Sequence, residues 1–172
     1  RLARGSLKSF TREEVLAQVR AFVCAGTIEI QLTAQDVSAW GMDTGHSLPE
    51  LLVAINRIPG NHRIRVGMMN PATVKGQASE LADAFFGEHI FQFIHLPVQS
   101  GSDAVLSRMG RGYTVAEFEG IVRLFRKRYP GITVATDMIV GFCGETAGDF
   151  SASLDLIRRV TPAKVNVTRY SR

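Results

Sequence analysis

Residues 93–103, FIHLPVQSGSD, decide how the rest of the chain is interpreted, because an apolar segment passes directly into small and polar residues. The apolar part, which begins near residue 90, is typical of a buried strand. Ser100 is followed three residues later by Asp103, a spacing at which a hydroxyl and a carboxylate satisfy the free N–H groups of a new helix. The stretch therefore predicts a strand followed at once by a helix that starts at Ser100.

The same strand-then-helix unit recurs along the chain. Four more helix starts place Ser or Thr three residues before Glu or Asp, at Thr11, Ser47, Thr114 and Thr146. Five short β-rich segments predict strands, at residues 28–32, 64–67, 90–94, 133–139 and 165–168. Connections of this length contain crossover helices, so we predict an α/β fold in which parallel strands alternate with helices.

The number of strands predicts a barrel that is not closed. A closed eight-stranded α/β barrel takes about 250 residues, whereas this chain has 172 residues and five predicted strands. We therefore predict a single domain, residues 1–172, that forms a partial, open barrel of the TIM type. A complete doubly wound sheet is the alternative that length leaves open.

Composition narrows the class of protein. Hydrophobic residues make up 45% of the chain and Lys plus Arg outnumber Asp plus Glu by 20 to 16, which indicates a folded, mildly basic domain and permits a nucleic-acid partner. No segment reads as a membrane span or a signal sequence, so a cytoplasmic location is expected. Cys24 and Cys143 stand far apart with no further ligand nearby, which predicts two buried thiols and no metal site.

The candidate binding residues lie where the predicted strands end, because ligands of parallel α/β folds bind at the carboxyl ends of the strands. These positions combine amide, carboxylate and small side chains suited to a polar, nucleoside-like ligand. They include Gln35, Asp36, Gln99, Ser100, Asp137 and Gly141. The helix predicted at Ser100 would direct its free N–H groups toward a carboxylate or phosphate. His95 is expected to be a hydrogen-bonded wall residue, and the lack of a hydrolase-type constellation indicates that a cofactor carries the reaction.

Six segments, in this order and at this spacing, resemble one family across essentially the whole chain. They are RLARGSLKS (1–9), LTAQDVSAWG (32–41), IRVGMMNP (64–71), FIHLPVQSGSDAVLSRMGRGYT (93–114), TDMIVGFCGET (136–146) and KVNVTRYSR (164–172). The family is that of the radical S-adenosylmethionine methylthiotransferases. Cys143 stands where that family usually has proline in a GFPGET motif.

The resemblance implies a radical-SAM barrel that lacks its first strand and cluster loop and is followed in the family by an RNA-binding β domain. It implies two cofactors, S-adenosylmethionine and 4Fe-4S clusters, with the barrel's cluster cysteines standing before the segment that matches residues 1–9. The residues it implies for S-adenosylmethionine are Gln35, Asp36, Gln99, Ser100, Arg111, Asp137 and Gly141. It assigns no individual catalytic role, and it implies an electron donor that reduces the cluster.

The resemblance also implies transfer RNA as the substrate, with Arg1, Arg4, Lys8 and Arg169 as candidate phosphate contacts. The RVGMMNP and QSGSD segments resemble the archaeal and eukaryotic branch, which converts N6-threonylcarbamoyladenosine 37 to its 2-methylthio form. The branch that acts on isopentenyladenosine 37 is the close alternative. A non-catalytic RNA-binding barrel and an unrelated barrel that binds a phosphorylated metabolite remain as further alternatives. On its own, the 172-residue chain is expected to be inactive and to leave sheet edges unpaired. No feature of the sequence specifies an oligomeric state.

Overall fold

The computed structural model describes residues 5–171 and contains five strands that alternate with helices. The strands are β1 (Glu29–Leu32), β2 (Arg63–Val66), β3 (Phe93–His95), β4 (Thr133–Val140) and β5 (Lys164–Arg169). The helices are α1 (Arg12–Cys24), α2 (Leu48–Asn56), α3 (Pro71–Val74), α4 (Ala78–Ala84), α5 (Asp103–Arg108), α6 (Val115–Arg128) and α7 (Ala147–Val160). A 3₁₀ turn, Val37–Ala39, follows β1. All five predicted strands are present.

Every strand pairing is parallel, which confirms the predicted α/β fold. β1 pairs with β2, and β3, β4 and β5 pair in that order. Isolated bridges between Ile64 and Ile90 and between Met68 and His95 connect the two groups of strands. Within residues 5–171, β1 and β5 each pair with one neighbour, so the sheet is open as predicted.

The helix starts follow the predicted capping pattern at four of five positions. Thr11, Thr114 and Thr146 each accept a hydrogen bond from the backbone N–H three residues ahead, while the carboxylate at that position accepts one from the threonine N–H. At Ser47, the Glu50 carboxylate accepts from the serine N–H at 3.0 Å. These reciprocal bonds are local, which is why the sequence alone locates them.

The prediction for Ser100 is wrong, because α5 begins at Asp103 and is capped by Ser102, whose hydroxyl accepts from the Val105 N–H. Ser100 is fully buried instead, and its hydroxyl lies 3.4 Å from that of Ser153 on α7. The local pattern predicted that the Ser100 hydroxyl caps α5, but this hydroxyl contacts α7 instead.

The core lies between one face of the sheet and the helices. Strand residues whose side chains point to this face, such as Ile30, Ile64 and Ile94, are buried in the same apolar cluster as helix residues, including Phe125. The opposite face of the sheet remains accessible, and we call it the open face. Its strand positions include five polar residues: Gln31, Arg65, His95, Asp137 and Asn166.

Both cysteines contradict the expectation of buried thiols, because Cys24 and Cys143 are exposed. Cys24 is the last residue of α1, and Cys143 lies in the loop after β4. Cysteine is usually buried, but a helix end and a loop lie at the surface, so these two cysteines are exposed.

Candidate functional site

A cleft of about 480 Å³ lies where β1, β2 and β3 end. The chain segment from Gly5 to Lys8 forms one wall, and the loops that follow the three strands form the others. The volume falls within the range of small-ligand sites. The cleft therefore lies at the edge of the sheet that the sequence predicted.

Asp36 organises one side of this cleft. One of its carboxylate oxygens accepts hydrogen bonds from the backbone N–H groups of Ser38 and Asn70, at 3.0 and 3.1 Å. The other accepts from the Thr73 hydroxyl at 2.9 Å. These bonds join the loop after β1 to the loop after β2 and cap the 3₁₀ turn. Asp36 thus lines the cleft mainly as a residue that holds two of its loops together.

Gln99 lines the cleft with its backbone in the left-handed region, at φ 72°. Its N–H donates to the Asp137 carbonyl and its own carbonyl accepts from the Ile139 N–H, both at 2.9 Å. For a residue other than glycine this conformation costs about 1–2 kcal/mol. The bonds to β4 hold the strained residue in place at the cleft, a pattern common at functional sites.

Arg111 and Lys8 bring positive charge to the cleft. Neither forms an ion pair with any residue in the range 5–171, and the Arg111 Nε is buried without a hydrogen-bond partner there. Asp36 is the one acidic lining residue among those described, and its oxygens are already engaged. A half-buried, unpaired arginine side chain favours an anionic ligand group such as a carboxylate or phosphate.

Tyr113 closes the wall beside Arg111. Its hydroxyl donates to the carbonyls of Pro97 and Val98, at 3.2 and 3.0 Å. Burial raises the pKa of Tyr113 to about 12, so the phenol stays protonated and remains a donor at neutral pH. The ring is thereby fixed against the loop that carries Gln99.

A second polar group lies on the open face, on strands whose backbone is bonded to cleft-lining residues. His95 Nε2 lies 2.9 Å from Asp137 Oδ1, and the Asn166 amide donates to the same oxygen at 2.7 Å. The three residues sit on β3, β4 and β5. The backbone joins this group to the cleft, because the His95 carbonyl accepts from the N–H of Met69, a lining residue. His95 is thus hydrogen-bonded as expected, although its side chain does not line the cleft.

The cleft brings together some of the predicted binding residues and leaves others apart. Lining residues among them are Gln35, Asp36, Gln99, Arg111 and Lys8. Asp137 and Gly141 lie outside the lining.

Four further predicted residues lie away from the cleft or outside the described range. Ser100 is buried against α7, so its hydroxyl does not face a ligand. Arg169 ends β5, away from the cleft lining. Arg1 and Arg4 lie outside the described residues.

Sequence reasoning did not identify Tyr113 or Asn166 as site residues. Tyr113 follows α5 rather than a strand, so the strand-exit rule does not reach it. Asn166 lies inside β5, and the alternation of side chains along a strand could have placed it on the same face as Thr168.

Two features of the described chain bear on the expected cofactors and location. No group of three or more His, Cys, Asp or Glu side chains within residues 5–171 is arranged to hold a metal ion. No helix in that range is both long enough and apolar enough to cross a membrane.

Parallel strands, helical crossovers and a cleft at the strand exits define an open α/β barrel domain with a candidate ligand site at its mouth. A family model described as the radical SAM superfamily matches residues 2–157. The chain belongs to the radical SAM superfamily.

Relatives and solved structures agree with this assignment. The chain is 50% identical over 171 residues to a probable threonylcarbamoyladenosine tRNA methylthiotransferase of Pyrococcus abyssi, covering 99% of this chain and 40% of that protein. It is 44% identical over 155 residues to the threonylcarbamoyladenosine tRNA methylthiotransferase of Drosophila melanogaster, covering 90% of this chain and 28% of the other. These relatives confirm the resemblance drawn from the motifs.

Among solved structures, the cobalamin-dependent S-adenosylmethionine radical enzyme OxsB, with aqua-cobalamin and S-adenosylmethionine bound, aligns with a TM-score of 0.69 at 15% identity. The alignment covers 92% of this chain and 24% of OxsB. At this identity the likeness supports the fold alone. The chain thus has the fold of a radical SAM barrel and spans less than half the length of the relatives it matches.

Proposed function

We propose that this chain forms the cofactor-binding barrel of a transfer-RNA methylthiotransferase that acts on N6-threonylcarbamoyladenosine 37. The observation that carries the proposal is the 50% identity, over 171 residues, to a protein named for this activity. The aligned region includes the strand-exit loops that line the cleft, because the match covers 99% of the chain. In a longer protein, the barrel would stand between an N-terminal cluster domain and a C-terminal RNA-binding β domain.

The residues of the cleft fit S-adenosylmethionine. The unpaired Arg111 guanidinium suits its carboxylate, and the amides of Gln35 and Gln99 can bind its ammonium and hydroxyl groups. Met68 offers apolar, polarisable surface to its adenine. When bound to a 4Fe-4S cluster, S-adenosylmethionine supplies the radical chemistry. The cluster ligands expected from the resemblance are cysteines that would stand before residue 1.

The chain's own residues would position the ligand and exclude water. Asp36 fixes the loops after β1 and β2, and Tyr113 fixes the loop that carries Gln99. Lys8 lies at the rim, where a phosphate of an anticodon loop could reach it. Arg1, Arg4 and Arg169 remain further candidates for phosphate contacts. The proposal also includes a cytoplasmic location and an electron donor.

The test uses the full-length protein, reconstituted without oxygen and incubated with transfer RNA that carries threonylcarbamoyladenosine 37. We expect mass spectrometry of the digested RNA to detect the 2-methylthio nucleoside. Arg111→Ala should weaken S-adenosylmethionine binding in equilibrium dialysis by about tenfold or more, the loss expected for a charged hydrogen bond. Arg158→Ala, on the outer surface of α7, is the matched control and should bind normally.

Other outcomes would contradict the proposal in distinguishable ways. Product only from isopentenyladenosine RNA would identify the alternative substrate. Salt-dependent RNA binding without any cleavage of S-adenosylmethionine would identify a non-catalytic RNA-binding barrel. Binding of inorganic phosphate but not of S-adenosylmethionine would identify an unrelated metabolite site.

A further inference from the structure

The open-face group formed by His95, Asp137 and Asn166 has unused hydrogen-bonding capacity. His95 Nε2 and the Asn166 amide both bind Asp137 Oδ1, at 2.9 and 2.7 Å. Within residues 5–171, His95 Nδ1 and Asp137 Oδ2 make no hydrogen bond. The side chains of His95 and Asp137 are 23% and 24% exposed, so both are open to a ligand.

His95 Nδ1 and Asp137 Oδ2 are both acceptors, and the side-chain oxygen of Asn166, which makes no hydrogen bond within residues 5–171, is a third. An ionised carboxylate only accepts, so the shared proton of the pair lies on His95 Nε2. In a neutral imidazole the other nitrogen, Nδ1, then accepts. Asp137 Oδ2 and His95 Nδ1 thus present two neighbouring acceptors to any ligand that reaches the open face.

This polarity is unusual for its position. The inner face of an α/β barrel is normally filled by branched apolar side chains. Here the neighbouring layer of the open face is also polar, but its carboxylate, Glu29, is paired at 2.9 Å with Arg65, whose guanidinium lies over the rings of Phe91 and Phe93. Among the described residues, the layer at His95 and Asp137 contains no such cation pair, retains free acceptors and is joined to the cleft by backbone hydrogen bonds.

We propose that His95, Asp137 and Asn166 form a subsite that recognises the polar N6 substituent of the target adenosine. This inference rests on the proposed function and assigns a specificity role within it. A threonylcarbamoyl group carries ureido N–H groups and a hydroxyl, which are donors that match the free acceptors of this group. An isopentenyl group is a hydrocarbon and would leave both acceptors without partners.

The backbone couples this subsite to the proposed cofactor cleft. The Asp137 carbonyl accepts from the Gln99 N–H, and the His95 carbonyl accepts from the Met69 N–H, both at 2.9 Å. Gln99 and Met69 line the cleft. The carboxylate of the threonyl group must lie away from Asp137, and Lys8 is a cation at the cleft without an ion-pair partner among the described residues.

The experiment measures affinity by fluorescence anisotropy, at one fixed salt concentration, for the full-length protein. The probes are three anticodon stem-loops that carry threonylcarbamoyladenosine, isopentenyladenosine or unmodified adenosine at position 37. Asp137→Asn should weaken binding of the threonylcarbamoyl RNA by about tenfold, the effect of one charged hydrogen bond. Binding of the unmodified RNA should change less than about twofold, since phosphate contacts dominate it.

His95→Phe should repeat this selective loss, and His95→Gln, which keeps an acceptor, should restore part of it. The control is Asp155→Asn, the same chemical change in an acid that pairs with Arg158 on the outer surface of α7. It should leave all three affinities unchanged. Thermal unfolding of each variant checks that the fold is retained.

Equal losses for the three RNAs would overturn the subsite, because a purely structural cross-link between the strands would weaken binding without discrimination. Unchanged binding of the threonylcarbamoyl RNA by Asp137→Asn would overturn it as well. These results are separable from failure of the proposed function, which requires that the wild-type protein form no methylthio product. A wild type that forms product while its variants lose no selectivity would contradict the subsite alone.

Discussion

Gln99 combines backbone strain with a position in the candidate cleft, since its φ is 72° and its side chain lines the cavity. Glycine adopts this conformation without steric cost. Gln99→Gly should therefore raise the free energy of unfolding, by up to about 1 kcal/mol once the added flexibility of the unfolded chain is included. The same change should weaken S-adenosylmethionine binding, because it removes the amide. Urea unfolding and equilibrium dialysis measure the two effects.

Thr161 provides the control for this prediction. It ends α7 with a φ of 42°, also in the left-handed region, and does not line the cleft. Thr161→Gly should stabilise the fold similarly and leave ligand binding unchanged. If Gln99→Gly binds the ligand as well as the wild type does, the Gln99 side chain has no role in the cleft.

His62 is a buried titratable residue outside the candidate site. It is fully buried, neither ring nitrogen has a hydrogen-bond partner in the described chain, and its ring stacks on His89 with centroids 4.1 Å apart. Desolvation by burial lowers the pKa of His62, and the neighbouring His89 lowers it further. The unfolded state, with a pKa near 6.5, therefore takes up the proton more readily than the folded state.

The sign of the pH dependence follows from this difference. The stability associated with neutral His62 is complete above about pH 6.5 and is lost as the pH falls below that value. His62→Leu should reduce the loss of stability between pH 7.5 and pH 5, measured by urea unfolding with Trp40 fluorescence as the signal. His46→Gln, a change at an exposed histidine, should keep the wild-type pH dependence. A variant His62→Leu with an unaltered pH profile would contradict the assignment.

At the scale of elements, the sequence predicts what local bonds determine. The starts of α1, α2, α6 and α7 follow from capping bonds that span three residues. The sequence does not predict the helices α3 and α4, because neither begins with a Ser or Thr three residues before an acid: α3 starts at Pro71 after Asn70, and α4 follows Gln77. The start of α5 at Asp103 depends on a contact between Ser100 and Ser153, more than fifty residues away, which no local pattern contains.

The sequence also predicts only part of the candidate site, namely the residues whose position follows from their order along the chain. Parallel strands bring their carboxyl ends together, so Gln35, Asp36 and Gln99 could be placed at one edge from their order in the chain. The partners of Asp36 could not, because Asn70 and Thr73 approach it through the packing of separate loops. The sequence therefore predicts which residues follow the strands. It does not predict the hydrogen bonds between the loops, because these form only when distant parts of the chain pack together.

Gly101 allows the loop after β3 to pack closely on α7. A Cβ at this position would lie 2.5 Å from the Ala152 carbonyl oxygen and 2.5 Å from the Ser153 Cα. Both are backbone atoms of a helix and cannot move independently. Gly101→Ala should therefore destabilise the fold by about 1–3 kcal/mol, the usual cost of overpacking.

The matched control is Gly120→Ala, within α6, where an added Cβ meets no atom within 4 Å. Replacing a helical glycine in open space should stabilise the fold by about 0.5–1 kcal/mol. Thermal unfolding compares the two variants. A destabilisation of the same size in both would show that loss of glycine, and not the contact with α7, is responsible.

At the scale of the whole molecule, the open sheet has a consequence for the isolated 172-residue chain. Among the described residues 5–171, β5 pairs with β4 along one edge only, and Val167 on β5 is 63% exposed. An exposed strand with a free edge can pair with a strand of another molecule. Concentration-dependent self-association of this chain is therefore expected, and sedimentation velocity measures it.

Val167→Lys should reduce that self-association, because a lysine on an edge strand opposes edge-to-edge pairing. Val53→Lys is the control: Val53 is 42% exposed on α2, so the variant has the same net charge without a change at the strand edge. Since Val53 is not on a strand, its replacement should leave association at the wild-type level. Equal reduction by both variants would attribute the effect to net charge, whereas reduction by Val167→Lys alone would assign the association to the edge of β5.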